Sequence, residues 1–143
     1  MQDFAPEEPY WEDLRKVDVH GKGLTSLHLL DTLCYRVEKL NVADNAISQL
    51  AGVPSCVRQL DASQNTLSSL TFWGHLIHLQ YMDVSSNAID SLEGLECLIH
   101  LRELRADDNQ ITSLDGVLHL DGLLKLSLKG NNIETADFDG AEL

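Results

Sequence analysis

Between residues 14 and 133 apolar and polar positions alternate in short runs, and the runs recur. The clearest is Leu101-Arg-Glu-Leu-Arg-Ala-Asp-Asp-Asn109-Gln-Ile111, with apolar residues at positions 1, 4, 6 and 11 of the window and an asparagine at position 9. The same pattern returns from Val37 to Ile47, Val57 to Leu67, Leu79 to Ile89 and Leu123 to Ile133, with Asn45, Asn65, Asn87 and Asn131 in the asparagine position. A looser copy starts at Leu14 and has Lys22 there. The copies begin at 14, 37, 57, 79, 101 and 123, in steps of 23, 20, 22, 22 and 22 residues. A fixed period of this length marks an array in which each repeat is one coil stacked on the last.

Alternation with period two predicts a short strand in each window, with apolar positions 1, 4 and 6 turned inward. The inward set includes Val17 and Val19, Leu40 and Val42, Leu60 and Ala62, Met82 and Val84, Leu104 and Ala106, Leu126 and Leu128. The asparagines are expected to turn the chain at the strand end, their amides bonding backbone groups that leave the sheet, and to form a ladder along one edge. Lys22 cannot accept such a bond, which suits an atypical first coil.

The other half of each coil carries apolar residues three apart: Leu27, Leu30 and Leu33; Leu70, Trp73 and Leu76; Leu92, Leu95 and Leu98; Leu114, Val117 and Leu120. That spacing predicts 3₁₀ or irregular turns rather than long helices. Gly52, Gly94 and Gly116 share the position before the second apolar residue, where a tight backbone is required. The second coil is two residues short of 22 and is completed by Leu50, Val53 and Cys56, so Cys56 is expected in the core and Cys34 and Cys97 nearer the convex surface. Residues 1–13, with Phe4, Tyr10 and Trp11 among acidic residues, read as an N-terminal cap. A linear docking motif is the alternative there. Residues 134–143 read as a C-terminal cap or a truncated further repeat, and their lack of large apolar residues other than Phe138 and Leu143 favours the latter.

Composition narrows the function. The chain has 143 residues and a formal net charge of −13, which argues against a general affinity for nucleic acid or anionic membrane. No run of about 18 apolar residues is present, and the acidic first residues are not a secretory signal. Three cysteines form no disulfide framework, so a reducing, intracellular setting is expected. His75, Cys97 and His119 share one coil position, as do His78 and His100, but columns on a convex face diverge where zinc needs convergent ligands. No nucleophile elbow, phosphate-binding glycine loop or HExxH motif appears, and no enzyme, cofactor or metal is expected.

The cations carry more information. All ten Lys and Arg residues lie in or beside the strand windows. Outward position 3 reads Lys16, Lys39, Gln59, Tyr81, Glu103, Lys125; position 5 reads Asp18, Asn41, Asp61, Asp83, Arg105, Ser127; position 7 reads His20, Ala43, Ser63, Ser85, Asp107, Lys129. Positive charge therefore gathers at two ends of the sheet, Lys16 with Lys39 and Arg105 with Lys125 and Lys129, and Tyr81 stands between as the aromatic anchor. With Arg58 these form the candidate partner-binding set, suited to acidic or phosphorylated segments of a protein. The competing expectation is internal neutralisation, Lys16 by Asp18 and Lys125 by Glu103.

The window L-x-x-L-x-A-x-x-N-x-I is the strand-and-turn half of a leucine-rich repeat, and the 22-residue form N-x-I-x-x-L-x-G-L-x-x-L over residues 14–133 resembles the protein phosphatase-1 regulatory class. Residues 79–133 also resemble the fungal spindle-pole-body scaffolds of septation initiation and mitotic exit, with animal centriolin more distant. In that family a leucine-rich repeat domain near the C-terminus follows a long disordered region, and the scaffold tethers a two-component GTPase-activating complex and kinases. The resemblances imply an α/β leucine-rich repeat solenoid, right-handed, with a parallel concave β-sheet and short convex segments. They further imply a non-catalytic scaffold domain, monomeric within a larger protein and binding through its concave face at the spindle pole body. A phosphatase-regulatory subunit and an RNA-associated leucine-rich module are the alternatives; the lone Tyr81 argues against the first and the charge against the second.

Overall fold

The computed structural model describes residues 14–28, 30–68, 74–114, 116–117 and 120–133. Each window contributes one three-residue strand: β1 (Lys16–Asp18), β2 (Lys39–Asn41), β3 (Gln59–Asp61), β4 (Tyr81–Asp83), β5 (Glu103–Arg105) and β6 (Lys125–Ser127). The strands pair in chain order as one parallel sheet, with the window positions in register from Lys16↔Lys39 through Glu103↔Lys125. Parallel neighbours need a crossover, and here the rest of each coil supplies it. The central residue of every strand points inward: Val17, Leu40, Leu60, Met82, Leu104 and Leu126 are all buried.

These residues join the apolar positions of the convex half in one continuous core. Leu128, the last of the expected inward set, is only partly buried against it.

The asparagines knit each coil to the one before. Asn109 donates from its Nδ2 to the carbonyls of Ala106 and Asp107 in its own turn and of Val84 in the preceding coil, at 3.0–3.1 Å. Its Oδ1 accepts the Ile89 N–H at 3.0 Å. Asn65 and Asn87 repeat this pattern, and Asn131 does so with one bond stretched to 3.4 Å. Asn45 accepts two N–H groups, from Lys22 and Leu24. Lys22 belongs to the coil of β1, ahead of which the described residues hold no strand to knit to. The residue before each asparagine is left-handed: Asp44, Gln64, Ser86 and Asp108 have φ of 55–58°, and Gly21 and Gly130 take the same place at the ends. Asp and Gly tolerate this conformation better than most residues, so the turn dictates part of the composition at this edge.

Convex segments are short, as the spacing predicts. A 3₁₀ turn covers Leu95–Cys97 in the fourth coil. Gly52 and Gly116 are left-handed with φ of 97°, and a Cβ at either would lie 2.3 Å or 2.1 Å from the carbonyl oxygen of Leu27 or Leu92 in the coil below. Only glycine fits there.

The first two coils depart from the expected arrangement, and both departures follow from coil length. The first coil has one residue more than 22 and absorbs it as α1 (Leu30–Leu33), where Cys34 N–H bonds the Leu30 carbonyl at 2.8 Å. That shift carries the apolar position from Leu33, which is only half-buried, to Cys34, which is fully buried. In the second coil the missing residues fall between Val53 and the turn into β3. Pro54 takes the buried place and Cys56 is exposed. The expected positions of Cys34 and Cys56 are therefore exchanged, while Cys97 is exposed as expected. The caps expected of residues 1–13 and 134–143, and Leu70, Trp73 and His119, lie outside the described residues.

Two outcomes check this arrangement. Chemical denaturation of Leu104→Ala should show a loss of about 2–5 kcal/mol, because Leu104 is fully buried between two strands. Burial pushes the Cys34 thiol up to about 11, so a native-state thiol reagent should label Cys56 and Cys97 but not Cys34. The unfolded chain releases the Cys34 proton before the folded one, so this contribution to stability is complete below about 9.0 and is lost as pH rises towards 11. Cys34→Ser should remove that part of the alkaline loss.

Candidate partner-binding surface

Register turns the outward strand positions into columns. Lys16, Lys39, Gln59, Tyr81, Glu103 and Lys125 form one, and Asp18, Asn41, Asp61, Asp83, Arg105 and Ser127 the next. Two depressions open on this concave face. One, of about 290 Å³, is lined by Lys16, Lys39, Gln59 and Tyr81 together with Asp18 and Asp61. The other, of about 380 Å³, is lined by Glu103, Arg105, Asp107, Lys125 and Lys129. The two groups of cations expected from sequence are thus separate in space, and Tyr81 borders the first. Arg58 lines neither; it is exposed one residue upstream of β3.

The carboxylates of the second column are held by the turn. Asp61 and Asp83 each accept the N–H two residues on, from Ser63 at 3.1 Å and Ser85 at 3.0 Å, and Asn41 does the same for Ala43. Asp18 accepts from His20 N–H and pairs with the His20 ring; the latter contact, before the charges, holds its carboxyl below the usual range. Arg105 breaks the column because it has nothing to accept with. The N–H of Asp107 then bonds Ser85 Oγ, and Asp107 in turn accepts from Ser127 Oγ and Lys129 N–H. The stripe that reads from sequence as exposed carboxylates is thus largely Asx-turn chemistry.

The expected internal neutralisation takes a different form. Asp18 is engaged with His20 and Glu103 with Arg105 at 3.1 Å, within the same strand. Arg15 pairs with Glu38 at 2.6 Å. Among the described residues no carboxylate pairs with Lys16, Lys39, Lys125 or Lys129. Tyr81 is half-buried, and its hydroxyl is held above the ordinary range first by that burial and then by Asp83.

Charge is also sorted along the strand direction. Arg15, Lys16, Arg36, Lys39, Arg58, Arg102 and Lys125 lie towards the upstream end of the strands, where Glu38, Glu103 and Asp121 oppose them. Asp18, Asp44, Asp61, Asp83, Asp107 and Asp108 lie towards the downstream end, with Lys22, Arg105 and Lys129. Outward columns within the strands miss one further set: Tyr35, Ile77, Ile99 and Leu124 are exposed at the upstream edge. The signal for Ile77 and Ile99 is their 22-residue spacing at a polar position of the repeat.

Among the described residues, His75 and Cys97 bond backbone carbonyls instead of converging. His75 bonds the Val53 carbonyl through Nε2 at 2.8 Å, and Cys97 Sγ the Gly94 carbonyl at 3.2 Å. Among the described residues no group of three His, Cys, Asp or Glu is placed to hold a metal, and no helix is long and apolar enough to cross a membrane.

No protein-family model matches the chain. The septation initiation network scaffold protein cdc11 of Schizosaccharomyces pombe is 45% identical to it over 82 residues, which are 57% of this chain and 8% of that protein. Internalin InlF of Listeria monocytogenes superposes with a TM-score of 0.80 at 16% identity, over 88% of this chain and 38% of that one. A leucine-rich repeat protein of Leptospira interrogans does so with a TM-score of 0.74 at 23% identity, over 85% and 33%. These likenesses lend no support to the phosphatase-regulatory repeat class. The structural ones bear on fold alone, and they agree with the parallel sheet and coil repeat in giving the chain the leucine-rich repeat solenoid fold.

Proposed function

We propose that the chain is a non-catalytic, protein-binding unit of a larger scaffold of septation and mitotic-exit signalling at the spindle pole body. In this reading it engages an acidic or phosphorylated segment of its partner through the concave face. Residues 14–133 are then the binding array, 1–13 its N-terminal cap, and 134–143 a cap or the start of a further repeat. The likeness to a septation initiation scaffold over more than half of the chain supports the biological setting.

One observation carries the reading of the surface. Lys16 and Lys39 are direct cross-strand neighbours, exposed and without an ion-pair partner among the described residues. Like charges directly opposite on a sheet repel. Folding gains nothing from placing them there, whereas a bound anion does. A phosphate brings a charge of about −1.5 to −2 and three acceptor oxygens, which suits two ammonium groups one strand apart. Lys125, Lys129 and Arg105 offer a second, cationic contact for an acidic segment, and Tyr81 an aromatic one between.

The test uses Lys16→Glu/Lys39→Glu and a fourfold reversal that adds Arg105→Glu and Lys125→Glu. The double variant should unfold within about 0.5 kcal/mol of the wild type, as surface substitutions away from special features do. In pull-downs from fungal mitotic extract, partners should be lost on fourfold reversal and, separately, on phosphatase treatment of the extract. Partners retained by the reversed protein would place binding away from the concave face.

A further inference from the structure

Five turns line the upstream edge of the sheet, one before each strand from β2 to β6. Each is closed by a bond from the first residue of a window to the carbonyl three residues back: Val37 to Cys34, Val57 to Pro54, Leu79 to Leu76, Leu101 to Leu98 and Leu123 to Leu120, at 3.1–3.3 Å. Their tips are Tyr35-Arg36, Ser55-Cys56, Ile77-His78, Ile99-His100 and Asp121-Gly122. Turn chemistry favours Ser, Asp and Gly at such places, and the second and fifth turns comply. Nothing in the turn requires Ile77 or Ile99.

All the exposed large apolar side chains among the described residues lie on this edge: Tyr35 at 47% exposure, Ile77 at 49%, Ile99 at 70% and Leu124 at 68%. Arg58 and Arg102 stand beside them, exposed and free of ion pairs among the described residues. The Arg36 guanidinium lies over the Tyr35 ring, 5.4 Å from its centroid. Apolar side chains set beside Arg58 and Arg102, which have no ion pair among the described residues, are the composition of interface cores rather than of solvent-facing turns.

We infer that the upstream edge is a second docking surface, which meets the concave face at Leu124 where that residue lines the second depression, and that it takes an acidic amphipathic helix of a partner protein lying along the solenoid axis. Arg58 and Arg102 select the acidic flank. Coils repeat about every 4.8 Å, close to the about 5.4 Å pitch at which a helix presents its apolar stripe. Tyr35 to Leu124 spans four strand steps, about 19 Å, which is about 13 helical residues. A second copy of this chain complements the edge less well. Its downstream edge supplies carboxylates, but among the described residues it has no exposed large apolar side chain to meet Ile77 and Ile99.

The experiment is a selection from a display library of peptides about 16 residues long, enough for the about 13 helical residues of the span. The intact chain should enrich sequences with apolar residues at helical spacing flanked by Asp and Glu. Enrichment should fall at least about ten-fold with Ile77→Ser/Ile99→Ser and with Arg58→Glu/Arg102→Glu. It should persist with Lys16→Glu/Lys39→Glu, which separates this edge from the groove. These exposed substitutions should leave the circular dichroism spectrum unchanged. Failure to enrich such peptides, or enrichment indifferent to the edge variants, would overturn the inference. So would a dimer in sedimentation, or binding to phosphatidylserine vesicles, that Ile77→Ser/Ile99→Ser abolishes, since the edge would then belong to a second copy or to a membrane.

Discussion

The structure depends on how a parallel coil satisfies its backbone each time it leaves the sheet. At the end of a three-residue strand the chain turns, and several N–H and C=O groups lose their ladder partners while still close to the core. Leaving one such buried group unpaired costs about 1–3 kcal/mol. An asparagine side chain has both donors and acceptor capacity, and here one residue answers carbonyls of its own turn, a carbonyl of the coil below and an N–H of that same coil. Asn65 and Asn109 are buried in doing so. Stacking and turning are thus one interaction, and the array tolerates uneven coil lengths because this edge stays constant.

The downstream edge needs more than asparagine. Left-handed backbone precedes each asparagine, and Asp61 and Asp83 bond the N–H two residues on. Part of the acidity of this chain, at Asp18, Asp44, Asp61, Asp83 and Asp108, is therefore a by-product of turn chemistry. Cations have no such duty. Lys16, Lys39, Arg58 and Arg102 neither cap nor pair among the described residues, and this contrast makes the concave face and the upstream edge the surfaces where composition is free to serve a partner.

The two surfaces differ in kind. The groove divides its cations between two depressions, with an aromatic ring on the border of one. The upstream edge is apolar and basic on a row of rigid turns. A rigid coil array holds both at fixed separation, since each coil is braced by its neighbours. On the reading proposed above, that geometry suits a scaffold, since two ligands would be held without competing for one site.

The sequence by itself determined the repeat, the inward residues, the asparagine ladder and the outward columns. In a stacked array a residue 22 positions on is also the neighbour one strand away, so linear pattern and tertiary contact become the same information. Tertiary structure decided what the period does not govern. Cys34 is core and Cys56 is not, because the odd coil lengths are absorbed by α1 and by the shortened turn at Pro54. Asp18 pairs with His20 and Glu103 with Arg105, because reach and rotamer settle contacts between exposed side chains. On the upstream edge the period marks only Ile77 and Ile99, and the tertiary structure adds Tyr35 and Leu124, which stand at different positions of their coils on the same side of the sheet. Residues at turn tips obey no burial rule, and their meaning lies in which of them stand side by side.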